Sequence, residues 1–203
     1  MSTKKINPML LIDFYKAVHA EMLPKGITKS VSYFTPRMSR VKRWDKIVMF
    51  GLQGFIKNYL IDYFNEEFFG RPFDEVIEDY KRIMDNALGS EAYKIEKVEE
   101  LHHLGYLPIE IVALPEGTLF PMHVPMFGIT NTHSDFAWLP QSLESLISAE
   151  SWHPMIAATV GYTYRKIVNE YYDKTCDDNI PRARALGAFD FRGEESVESA
   201  VKA

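Results

Sequence analysis

The chain has 203 residues, 46% of them hydrophobic and 25% charged, enough for one sizeable core of ordinary globular composition. No apolar run reaches the roughly 20 residues of a membrane span, and Asp13 and Lys16 interrupt the stretch behind the basic start, unlike a secretory leader. A net charge of −5 argues against nucleic-acid binding, and the single cysteine, Cys176, excludes an internal disulfide and fits a reducing, cytoplasmic location. With no second thiol or nearby histidine, Cys176 is expected to be structural.

In chain order, residues 11–23 read as a helix ended by Pro24 and Gly26. Residues 29–34 read as a strand stopped by Pro36. The basic run Arg37, Arg40, Lys42, Arg43 and Lys46 reads first as a solvated loop or strand face, and second as a phosphate-binding patch. Residues 47–51 form a short buried strand or a lead-in to the next helix, 52–69, whose apolar residues recur at helical spacing up to Gly70 in the capping place. Two further helices are expected near 73–88 and 95–104. Residues 107–114 then make a strand closed by the turn Pro115-Glu116-Gly117, and 118–120 and 125–130 add two short strands.

Residues 135–150 read as helical with an interruption at Pro140, and Pro154 as the first turn of a long helix reaching about residue 174. Val160, Tyr164, Ile167, Val168 and Tyr171 would form its apolar stripe. Residues 175–184 read as a loop and 186–191 as a strand. The order of elements is mixed α and β without regular alternation, so a doubly wound sheet is not indicated.

Chemistry-bearing motifs are sparse. His102 and His103 point to different helix faces, no metal-ligand spacing occurs, and no phosphate-cradling glycine loop or nucleophile elbow is present. Trp138 and Trp152 read as packing residues. The most informative stretch is Ala188-Phe189-Asp190-Phe191-Arg192-Gly193, followed by an acidic, small-residue segment able to open a helix. A ring surface beside a guanidinium suits a planar, polar or anionic ligand. Because Phe189 and Phe191 alternate, one of them is expected to face the core.

Three other segments accompany it in order: Asp13-Phe14-Tyr15-Lys16-Ala17-Val18-His19; Ser32-Tyr33-Phe34-Thr35-Pro36-Arg37 with Phe50-Gly51-Leu52-Gln53; and Leu107-Pro108-Ile109-Glu110-Ile111 with Ser151-Trp152-His153-Pro154. Together they resemble nicotinamide phosphoribosyltransferase, within the wider class of type II phosphoribosyltransferases, over essentially the whole chain. The resemblance implies a pentosyltransferase of NAD biosynthesis that joins nicotinamide to phosphoribosyl pyrophosphate, using Mg²⁺ whose ligands lie outside this chain. It also implies a homodimer with shared sites, no nucleic-acid partner and no membrane.

By that resemblance Phe189 and a Tyr15 from the partner subunit sandwich the pyridine ring, and Arg192 meets the amide and the ribose phosphate. Arg37 reaches towards the phosphates across the interface, and Asp13 is a further substrate-binding candidate. Read alone, Tyr15 reads first as a core-facing helix residue and Arg192 as a surface arginine, with a helix N-terminal charge as the other reading of Asp13.

Two departures from the family pattern stand out. Gly187-Ala188-Phe189-Asp190 replaces a His-Asp-Phe-Gly run. Family members are also more than twice as long, so the chain is expected to be a fragment, inactive alone: an N-terminal mixed α/β domain, 1–150, and the first part of an incomplete α/β barrel, 151–203. The alternatives are nicotinate phosphoribosyltransferase and a non-catalytic truncated subunit or interaction module.

Overall fold

The computed structural model describes residues 6–176, 181–182 and 185–203. The chain opens with short turns of 3-10 helix, Pro8–Leu10 and Phe14–Val18, that lead into α1 (His19–Met22). The single helix expected over 11–23 is not formed. Asp13 is extended (φ −65°, ψ 122°), which breaks the helical path. The consecutive Leu10, Leu11 and Ile12 all pack on the core, an arc too wide for one helical stripe. Asn7, 2% exposed, ties this segment down: its side chain accepts from Met9 N and donates to Val76 O.

Strands β1 (Val31–Phe34) and β2 (Lys46–Val48) follow, with the basic run exposed between them as a solvated segment. Helix α2 (Leu52–Phe55) continues as wider, five-residue turns over Ile56–Tyr63 and Asn65–Phe69, so the expected helix is helical throughout but underwound. Gly70 ends it with an ordinary φ of −84°, not the left-handed value of a glycine cap. It is glycine for room, because a Cβ there would stand 2.6 Å from the Asn65 carbonyl oxygen.

Helices α3 (Phe73–Ala87) and α4 (Glu96–Leu104) come next, then β3 (Ile109–Ala113), β4 (Leu119–Pro121) and β5 (Phe127–Asn131). Strand β5 is central in an antiparallel sheet of order β1-β5-β3, and β2 pairs with β4 in a second, two-stranded sheet. Phe127, Ile129 and Asn131 alternate inward along β5. Asn131 is 3% exposed and satisfied: it accepts from Ser30 N and donates to the carbonyls of Thr28 and His133. Trp138 is buried and Trp152 packs on Phe34 at 4.7 Å, both as packing residues.

After α5 (Leu139–Ser142), a single helix α6 runs Glu144–Thr175, passing unbroken through residue 150. Pro154 therefore lies inside a helix and does not open one. Its buried ring packs against Gly51, and that contact offsets the backbone bond the proline cannot make.

The stripe expected on the second half of α6 is only partly buried at Val160 and Val168, while Tyr164, Ile167 and Tyr171 stand 51%, 38% and 59% exposed. The inward face is instead Ser151, Met155, Thr159 and Tyr172. No strand forms over 186–191: a two-residue alternation makes a strand only where another strand can pair with it, and these residues pair with none among the described residues. Phe189 and Phe191 are both exposed, so neither faces the core. Helix α7 (Val197–Lys202) follows, capped by the Ser196 hydroxyl accepting from Ser199 N. Cys176 is a free, exposed thiol, not a packed one.

Candidate functional site

The Arg192 turn is closed by its own backbone. Arg192 N donates to Phe189 O at 2.8 Å, and Gly193 follows at φ 105°, a left-handed conformation that glycine takes without strain. The turn folds the guanidinium over the exposed Phe189 ring, 5.1 Å from its centroid. A cation held on a ring face is itself a recognition surface: one planar group for stacking, and several donors in one plane for an amide oxygen or a phosphate.

Polar contacts moor this turn to α6. Glu194 lies 3.7 Å from His153 Nε2 and accepts from Ser199 Oγ at 2.7 Å. Lys202 pairs with Glu150 and lies 5.6 Å from the Tyr59 ring centroid. Burial pulls the Lys202 pKa down, but the Glu150 carboxylate outweighs it and the net direction is up. Burial raises the Tyr59 hydroxyl, and Glu150 adds to that rise. The pair thus keeps a protonated lysine beside a neutral phenol at neutral pH.

Tyr15 is 56% exposed on the turn Phe14–Val18, its ring 5.2 Å from that of His19. It is not a core residue. Asp13 begins the same turn, where its Oδ2 accepts from Ser145 Oγ at 2.5 Å and its backbone N donates to that oxygen at 3.1 Å. Asp13, Tyr59, Ser145, Glu150 and Lys202 all line one open cleft of about 920 Å³. Arg37 is exposed in the segment leaving β1.

The structure therefore joins Phe189 with Arg192. Among the described residues, no recorded contact joins Tyr15, Asp13 or Arg37 to that pair. Reasoning from sequence did not single out Lys16, Glu144, Ser145, Glu150 or Lys202 as a framework. Their contacts span 52 to 132 residues, beyond any local motif.

A family model described as nicotinamide phosphoribosyltransferase, N-terminal domain, matches residues 7–111. The chain belongs to that family. A nicotinamide phosphoribosyltransferase of Acinetobacter baylyi is 44% identical over 176 residues, covering 84% of this chain and 35% of that protein. Another, from Xanthomonas campestris pv. campestris, is 32% identical over 201 residues, covering 96% of this chain and 39% of that protein. The chain thus spans well under half the length of these curated relatives.

Among solved structures, human nicotinic acid phosphoribosyltransferase superposes with a TM-score of 0.55 at 18% identity, over 77% of this chain and 28% of that one. At that identity the likeness supports the mixed α/β fold and nothing finer. Among the described residues, no helix is long and apolar enough to cross a membrane.

Proposed function

We propose that this chain supplies the base-recognition part of a nicotinamide phosphoribosyltransferase, a pentosyltransferase of NAD biosynthesis that forms nicotinamide mononucleotide and pyrophosphate. The observation that carries the reading is the Arg192 guanidinium folded over the exposed Phe189 ring, in a chain whose family and 44%-identical relative bear that name. Phe189 offers one face of a clamp for the pyridine ring. Tyr15 from a second copy offers the other, in a cytoplasmic homodimer with shared sites, and stacking adds about 0.5–1.5 kcal/mol beyond burial of area.

Arg192 serves the amide oxygen and the ribose phosphate as a planar donor set. Arg37 from the second copy meets phosphate, and Asp13 is a further substrate-binding residue on the same turn as Tyr15. In the reaction the C1–O bond to pyrophosphate breaks and the ring nitrogen bonds to C1 through an oxocarbenium-like state, so the work is positioning and charge neutralisation. The product pyridinium is cationic and gains from the ring faces.

Mg²⁺ belongs with the pyrophosphate. The described residues bring no three His, Cys, Asp or Glu side chains together to hold it. The chain spans 35% and 39% of its curated relatives' lengths, and negligible turnover is expected of these 203 residues by themselves.

The test compares nicotinamide with nicotinate by saturation-transfer NMR on the wild-type chain and on Phe189→Ala. Nicotinamide should give the stronger signal and lose it in the variant. A stronger nicotinate signal would move the reading to the sister activity. Equal signals in wild type and variant would remove Phe189 from the site.

A further inference from the structure

We infer that Lys16 and Glu144 are positioning residues for Tyr15: the ion pair between them fixes where the Tyr15 ring stands. This rests on the reading of Tyr15 as half of the base clamp. The argument begins with burial. Lys16 is 4% exposed, rare for a lysine, whereas its neighbour Tyr15 is 56% exposed on the same short turn. A buried ammonium needs partners for its protons, and Lys16 Nζ has them on α6 and at the end of α5. It pairs with Glu144 and donates to the Gln141 carbonyl at 3.4 Å.

The same Nζ lies 5.4 Å from the Tyr15 ring centroid, and the His19 ring lies 5.2 Å from it on tilted planes of 59°. The Tyr15 ring is thus flanked by Lys16 and His19, and Lys16 is itself held from below.

A second contact sits one residue on along α6 and three residues back along the turn. The Ser145 hydroxyl donates to Asp13 Oδ2 and accepts from Asp13 N, while the Glu144 carboxylate accepts from Lys16. Residues 13 and 16 are therefore pinned to residues 145 and 144, with Tyr15 between the two pins. The turn carrying Tyr15 is a 3-10 turn of five residues with little helical stability of its own. Its geometry is imposed from α6 through these pins. Breaking a pair of this kind exposes one uncompensated buried charge, here Lys16, because Glu144 is 58% exposed and rehydrates readily.

The experiment uses the full chain with Glu144→Gln, Glu144→Asp and Tyr15→Ala, and nicotinamide mononucleotide as the probe. By hydrogen exchange, Glu144→Gln should speed the amides of residues 14–19 by about tenfold and leave those of β5 unchanged. Glu144→Asp, which keeps the charge, should recover part of the protection. By titration, Glu144→Gln should weaken nicotinamide mononucleotide about tenfold in the wild-type background, and not further in Tyr15→Ala, because both changes act through the same ring.

Unchanged exchange at residues 14–19, or the same weakening in the Tyr15→Ala background, would overturn the inference. If wild type does not bind nicotinamide mononucleotide at all, the proposed function fails. The exchange result then still decides whether the pair orders the Tyr15 turn.

Discussion

Gly51 and Pro154 meet so closely that no side chain fits between them: a Cβ on Gly51 would lie 2.7 Å from both Cβ and Cγ of the proline ring. Gly51 also stands at φ 88° as the residue before α2, a conformation that L side chains resist. The contact sets how α2 approaches α6, and hence where the framework of Glu144, Glu150 and His153 stands relative to the core. Gly51→Ala should cost about 2–4 kcal/mol, the sum of left-handed strain and overlap with a rigid ring. Gly54→Ala, three residues on with nothing within 4 Å, should instead be neutral or stabilise by up to about 1 kcal/mol. Urea unfolding of the two variants checks this, and equal effects would contradict the contact.

Thr159 fastens β2 to α6. It is 5% exposed, its hydroxyl accepts from Val48 N at 2.9 Å, and it donates to the Met155 carbonyl at 2.6 Å. Thr159→Val keeps the shape and removes the acceptor, leaving a buried N–H unpaired at a cost of about 1–3 kcal/mol. Thr159→Ser should retain most of the stability. A valine variant as stable as wild type would contradict a contribution from the hydrogen bond.

Stability should hold on the neutral side and fall at high pH. Burial raises Tyr80 above the ordinary tyrosine value of 10.0, and the neighbouring Tyr93 adds to the rise. Tyr93 is raised by burial and by its hydrogen bond to Asp85, where its hydroxyl donates at 2.8 Å. Both groups bind protons more tightly folded than unfolded. Their contribution is thus fully present below pH 10 and is lost progressively as pH rises above it. The urea midpoint followed from pH 8 upward should decline beyond about pH 10, less steeply in Tyr80→Phe. An identical alkaline slope in that variant would remove Tyr80 from the account.

Much of the fold was legible because its signals are local. The short strand read over 125–130 corresponds to β5, Pro36 limits β1, and the apolar spacing of 52–69 marks the helical stretch that Gly70 ends. Legibility failed where local pattern and tertiary environment disagree. Among the described residues the 186–191 alternation has no strand to pair with, and Pro154 is tolerated inside α6 because Gly51 receives its ring. Residues 11–23 bury apolar groups around too wide an arc to stay one helix.

At the site, Phe189 and Arg192 were readable as neighbours on one short turn. The pins Lys16–Glu144 and Asp13–Ser145 were not, since partners 128 and 132 residues apart leave no spacing in the sequence.

The claim that the base site is shared between two copies is tested most directly by mixing two defective chains. Phe189→Ala and Tyr15→Ala homodimers should each bind nicotinamide mononucleotide about tenfold more weakly than wild type. After the two are unfolded and refolded together, half the dimers are mixed and carry one site with both rings intact. Titration should then recover wild-type affinity in about a quarter of the sites. A mixture that binds no better than either variant alone would contradict a site built from Tyr15 of one copy and Phe189 of another.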